Sequence, residues 1–161
     1  MQLGFVARRR ALTVIRWVAA LLVMQFAMAI EAVAEEIQVY KSASCGCCVL
    51  WMDHMRENGF ALKGHDLALG ALARMKNEAG LRPDLHSCHT AKIAGYVIEG
   101  HVPAAEVRRL LQERPAAIGL VVPGMPIGSP GMEAGDHREP YEVLLVRHDG
   151  STETYATFGK N

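Results

Sequence analysis

The sequence predicts a small α/β domain, and three observations carry the prediction. Stretches that alternate apolar and polar residues at the strand period are interleaved with stretches of helical spacing. Glycine, proline and an Asp-Gly pair punctuate them at short intervals. The chain has 161 residues, of which half are apolar and 21% charged, enough to bury a core in one domain with a short appendage. That length excludes a large multidomain enzyme. With 17 basic against 17 acidic side chains, the chain also lacks the basic excess by which a protein neutralises nucleic-acid phosphates.

The appendage comes first. Arg8, Arg9, Arg10 and Arg16 precede a run from Trp17 to Ile30 that is apolar except for Gln25, and Ala32-Val33-Ala34 follows. This is the layout of a secretory signal peptide with an A-x-A cleavage site. The run is short of the roughly 20 residues a membrane-spanning helix needs, which counts against an uncleaved anchor. The arginine cluster leaves twin-arginine export open beside the general route, and no cysteine stands near the cut to make a lipoprotein. The expected organisation is therefore residues 1–34 as signal peptide and residues 35–161 as an exported domain. Cleavage removes four basic residues and one acidic residue, leaving 13 against 16.

Within the domain, Ile37 to Tyr40 alternates as a strand. Ser44 is placed to cap a helix that runs to Asn58 and stops at Gly59. Phe60 to His65 reads as a second strand, and Leu67 to Ala79 as a helix capped by Asp66 and ended by Gly80. Ala91 to Val102 reads as two short strands around Gly95, or one interrupted strand. Pro103 then occupies a permitted first helical position, Val107, Leu110 and Leu111 form an apolar stripe, and Pro115 stops that helix. Ile118 to Val122 is a short buried strand. Six of the twelve residues from Gly124 to Gly135 are Gly or Pro, which makes a loop. Tyr141–Arg147 and Ser151–Phe158 flank Asp149-Gly150, a hairpin turn signal. The order βαβα, then ββα, then a trailing hairpin is that of a thioredoxin-like domain with a C-terminal loop and β-hairpin extension.

The four cysteines stand out from this frame. Cys45 and Cys48 form a C-x-x-C at a strand-to-helix junction, where exposed backbone N–H groups and the positive helix end favour thiolate. That placement suits a redox pair. Cys47 inside the motif does not, and with Cys88 in Ser87-Cys-His89 it makes a set better matched to a soft metal. Thiolates and thioethers together select Cu(I). Met125 and Met132 end a stiff loop in which neither has the periodicity of a core methionine, so both are candidate copper ligands. Two disulfides, for example Cys45 with Cys48 and Cys47 with Cys88, are the structural alternative. A zinc or iron–sulfur site fits the cysteine count but leaves the methionine loop unexplained.

The histidines carry weaker signals. His101, beside a turn in Gly100-His-Val-Pro103, is a candidate ligand, as are His86 and His89 around Cys88. Cys48, Met52 and Met55 fall at i, i+4, i+7 on one helix face, a stripe that core packing explains. His54 shares that helix, and His65, His137 and His148 are read as surface.

Four motifs together resemble the CopG-type periplasmic copper-resistance proteins, a family long catalogued as a domain of unknown function. They are Ser44-Cys-Gly-Cys-Cys-Val-Leu-Trp51, Ser87-Cys-His-Thr-Ala91, Gly95-Tyr-Val-Ile-Glu-Gly-His-Val-Pro103, and Gly119 to Glu133. The resemblance implies a thioredoxin-like fold with a C-terminal extension. It also implies copper binding through Cys45, Cys47, Cys48 and Cys88 with the loop methionines, and a redox role. Ordinary thioredoxins carry a cis-proline loop near the position of Ser87-Cys88-His89, and no proline stands here. The function expected is a periplasmic copper-binding protein of copper resistance, with copper ions and other periplasmic copper-handling proteins as partners. The alternative is a thiol-disulfide oxidoreductase in which Cys45 attacks and Cys48 resolves.

Overall fold

The computed structural model describes residues 36–159, so the expected signal peptide, residues 1–34, lies outside the described residues. Seven strands and three α-helices follow one another as β1 (Ile37–Lys41), α1 (Gly46–Glu57), β2 (Leu62–Asp66), α2 (Leu69–Glu78), β3 (Thr90–Ile93), β4 (Tyr96–Glu99), α3 (Ala104–Glu113), β5 (Gly119–Val121), β6 (Tyr141–Val146) and β7 (Thr152–Phe158). A 3₁₀ turn, Pro83–Leu85, links α2 to the segment that carries Cys88. The strands form one mixed sheet in the order β2-β1-β3-β4-β5-β6-β7.

β1 pairs parallel with β2 and antiparallel with β3, and β3 pairs antiparallel with β4. Of the two readings of 91–102, the hairpin is the observed one, turning at Ala94 and Gly95. β5 is parallel to β4, and the C-terminal hairpin of β6 and β7 extends the sheet on the far side.

Strand alternation divides the core in two. Ile98, Leu120, Val143 and Leu145 pack with Trp51, Met52 and Met55 of α1 and Val107 and Leu110 of α3. Val97, Val121 and Val146 point the other way, onto Leu81 and Leu85 after α2. Cys48, Met52 and Met55 are all buried, as their spacing on one helix face predicts. Each large apolar side chain fully buried this way contributes about 1.5–3 kcal/mol.

Two capping expectations are corrected. Ser44 does not cap α1: the amide of Cys45 donates to the Ser42 carbonyl at 3.1 Å, which puts Ser44 inside a tight turn and Cys45 at the cap position, without a side-chain cap bond. Asp66 does not cap α2, because it is the last residue of β2 and its carboxylate is held by Lys41 at 2.6 Å. The cap position passes to Ala68, and the helix begins two residues later than the sequence suggests. Pro103 likewise stands at the cap of α3, with Ala104 as the first helical residue.

Candidate metal centre

The turn after β1 aims three cysteines at one point. Cys45 and Cys48 are joined by a disulfide, with Cα atoms 5.4 Å apart, while Cys47 and Cys88 are free thiols. Of the two disulfides weighed from sequence, only the first is formed. The Cys47 sulfur lies 3.6 Å from that of Cys45 and 3.8 Å from that of Cys88. All four sulfurs fall within 4.8 Å of one another. Residues about forty apart in sequence meet because α1 starts at the same sheet end as the segment entering β3.

A second donor group shares Cys88. Nδ1 of His89 lies 3.3 Å from the Cys88 sulfur and Nε2 of His101 lies 3.1 Å from it, and Cys88, His89 and His101 together fall within 4.8 Å. Both imidazoles are fully buried. His89 packs against Trp51 with ring centroids 4.4 Å apart and meets His101 edge-on at 5.2 Å. Trp51 is itself anchored by its indole N–H, which donates to the Val102 carbonyl at 2.9 Å.

The protonation states follow from these contacts. Nδ1 of His101 faces the Pro130 carbonyl at 2.8 Å, and a carbonyl can only accept, so Nδ1 carries the proton. Nε2 then presents its lone pair toward Cys88, the orientation by which a backbone carbonyl fixes a metal-binding imidazole. Burial lowers the pKa of His101, and burial lowers that of His89 well below the ordinary value, with the nearby His101 and Lys76 adding to the effect. Both rings are therefore neutral near neutral pH. Burial, followed by the neighbouring Cys47, pushes the Cys88 thiol up to about 12. A bound cation would reverse that cost, because thiolate ligation replaces the proton with the metal. Nε2 of His89 is buried without a hydrogen-bond partner in the described structure. Soft thiolates beside neutral imidazoles fit a thiophilic metal such as copper or zinc.

The methionine loop is pinned to this centre at two points. The Ser87 hydroxyl donates to the carbonyl of Gly124, next to Met125. Gly131, next to Met132, has φ +83°, and a Cβ there would stand 2.6 Å from the backbone nitrogen of Trp51 and 2.9 Å from the Cys47 carbonyl oxygen. Only glycine allows the loop to lie this close to α1. Met125 is half exposed, and Met132 is partly buried with its backbone tied into turns with Gly128 and Ser129.

A cleft of about 310 Å³ opens beside the centre, lined by Cys45, Ser87 and Cys88 with Leu69, Leu72 and Lys76 among its walls. His86 also lines it, but its ring bonds the Leu81 carbonyl at 3.2 Å and stands outside both donor groups. His54 accepts the Ala104 amide at 3.1 Å. His137 and His148 are exposed as expected, whereas His65 is partly buried, stacked on Tyr40 and bonded to Gln38. Sequence reasoning missed one group: Lys76, Thr90 and Glu99 are buried and bonded to one another below the Cys88 segment. The signal available was Lys76 itself, four residues after Leu72 on the buried face of α2.

Residues 85–132 match the model of a family described as a protein of unknown function, DUF411. No curated protein matches. Two solved structures, forms 1 and 2 of the copper resistance protein CopG, are each 40% identical to this chain. Each aligns at a TM-score of 0.73 and covers 78% of this chain and 98% of its own. Such identity over nearly the whole of the related chain means that the chain belongs to the family of the copper resistance protein CopG.

Proposed function

We propose that this chain is a periplasmic copper-resistance protein that binds Cu(I) on Cys45, Cys47, Cys48 and Cys88, with His101, Met125 and Met132 as further ligands. The observation that carries the reading is the convergence of four sulfurs within 4.8 Å of one another. Copper rather than zinc is supported by the relatives' name and by the thioethers at both ends of a loop pinned to the site. The bound ion is cargo. A thiolate can bridge two soft metals, so four sulfurs have capacity for more than one ion.

The disulfide supports a redox role as part of this reading. As the Cys45–Cys48 dithiol closes, it releases two electrons and two protons, enough to take two cupric ions to cuprous. Opening it again requires a two-electron thiol reductant. The domain is thioredoxin-like on this reading, supported by the C-x-x-C at the start of α1 and by the β2-β1-β3-β4 sheet order with β1 parallel to β2. Residues 1–34 direct it to the periplasm and are removed, and its partners are other copper-handling proteins there.

Anaerobic titration of the fully reduced protein with Cu(I) against a competing chelator tests the binding. Uptake that falls in Cys47→Ser and Cys88→Ser variants is the expected result, and no uptake sinks the reading. The same disulfide favours a second reading, a thiol-disulfide oxidoreductase acting on protein cysteines. Insulin reduction retained in Cys47→Ser, with copper binding unchanged, would favour it. N-terminal sequencing of periplasmic protein should give Glu35, and finding Met1 or Gln2 instead would refute cleavage.

A further inference from the structure

We propose that Glu99 is a positioning residue for the cysteine centre, clamping the Cys88 segment from below through a buried ion pair with Lys76. The inference deepens the copper reading and rests on it for its purpose, but its geometry stands apart from any metal.

Glu99 ends β4 and is fully buried, and Lys76 on α2 is 4% exposed. The carboxylate receives three donors. Its Oε1 accepts from the Lys76 ammonium and from the amide of Ser87 at 2.6 Å, and its Oε2 accepts from the Thr90 hydroxyl at 2.7 Å. Lys76 donates to the same hydroxyl oxygen at 2.9 Å. Ser87 immediately precedes Cys88, and Thr90 follows it by two residues. One carboxylate therefore holds both flanks of the segment that carries Cys88 and His89. The Gly100 amide, donating to the His89 carbonyl at 3.0 Å, adds a third tie from the residue after Glu99.

The other side-chain tie on the segment, the Ser87 hydroxyl donating to the Gly124 carbonyl, runs to a loop and not to the sheet. Ser87-Cys88-His89 contains no proline, and the 3₁₀ turn before it ends at Leu85. Its approach to α1 brings Cys88 within 3.8 Å of Cys47 and 3.1 Å of His101. Holding those distances in a solvent-lined cleft requires fixed flanks, and a metal site loosened by its support loses affinity. A buried ion pair is seldom a net source of stability, since apolar residues of similar volume often replace one without loss. Its hydrogen bonds to Ser87 and Thr90 are what an apolar pair would not reproduce.

The test reads sulfur position in metal-free protein. In a Cys45→Ser/Cys48→Ser background only Cys47 and Cys88 remain. The oxidant diamide accepts two electrons and two protons as they close to a disulfide, which peptide mass mapping quantifies. Adding Lys76→Met and Glu99→Leu is expected to leave a folded protein with a lowered thermal midpoint, since the Ser87 amide and Thr90 hydroxyl lose their acceptor, and to slow closure at least about fivefold, because small misplacements are costly in oriented reactions. Adding Glu99→Asp alone, which keeps the charge but withdraws the oxygens, is expected to slow closure in the same direction. Closure at the background rate in either folded variant overturns the proposal. If neither variant folds, hydrogen exchange in the unaltered protein decides: a protected Ser87 amide supports the clamp, and a freely exchanging one overturns it. Because none of these readings uses copper, slowed closure together with no Cu(I) uptake would sink the copper reading and leave the clamp standing.

Discussion

The imidazole of His101 lies between two fixed points, its Nδ1 2.8 Å from the Pro130 carbonyl and its Nε2 3.1 Å from the Cys88 sulfur. A ring held this way offers one lone pair in one direction. Replacing it with alanine is expected to weaken Cu(I) binding by about 10- to 100-fold, the range seen when an oriented shell around a metal is disturbed. His86→Ala, which alters the same cleft without touching either donor group, is expected to leave the affinity within about twofold. Chelator competition under anaerobic conditions measures both.

The thiol count should change with redox state. With Cys45 and Cys48 joined and Cys47 and Cys88 free, denatured protein that has not met a reductant should titrate two thiols, and four after reduction. Peptide mapping should find the bridge between Cys45 and Cys48. A bridge between Cys47 and Cys88 in that protein would contradict the arrangement.

His54 gives the fold a pH dependence of known sign. Its Nε2 accepts the Ala104 amide at the start of α3, and burial lowers its pKa below the ordinary 6.5, opposed by Glu133 and Glu57. The unfolded chain therefore takes up this proton more readily than the folded one. The stabilisation is complete above the ordinary value and is lost as pH falls through the lowered one. Between about pH 7 and about pH 5, the thermal midpoint should drop further in the unaltered protein than in His54→Gln, whose amide oxygen still accepts from Ala104 but does not titrate. His89 and His101 titrate in the same direction in both proteins and cancel in the comparison.

Gly131→Ala tests the loop contact. A methyl group at φ +83° would press on the backbone of α1 at 2.6 Å, and strain together with the clash should cost about 2–4 kcal/mol. Gly135→Ala in the same loop has φ +57° but nothing within 4 Å, so only the backbone penalty of about 1 kcal/mol applies. Denaturant unfolding separates the two. If the loop presents its methionines to the site, only Gly131→Ala should also weaken Cu(I) binding.

Much of this molecule is legible in its sequence, for reasons that differ by element. Among the described residues, period and punctuation located the three helices and every strand region, leaving open only whether 91–102 is one strand or two, because alternation and the 3.6-residue stripe are consequences of which side faces the core. The caps were misread where a polar side chain had a stronger distant partner, as Asp66 has in Lys41. Sequence spacing brought Cys45, Cys47 and Cys48 together but could only suggest Cys88, since that meeting depends on where β3 joins the sheet. The carbonyl of Pro130 that orients His101 has no sequence signal, because every residue carries one.

Cys88 belongs to both donor groups, the four sulfurs and the sulfur with two imidazoles. Two sites that draw on one atom are thermodynamically linked, so an ion held on the sulfur side alters the charge and position of the atom offered to the imidazole side. By reciprocity, each occupancy must change the affinity of the other by the same factor. If the centre takes metal as proposed, filling it is a coupled process, and its successive binding constants are properties of the whole cluster.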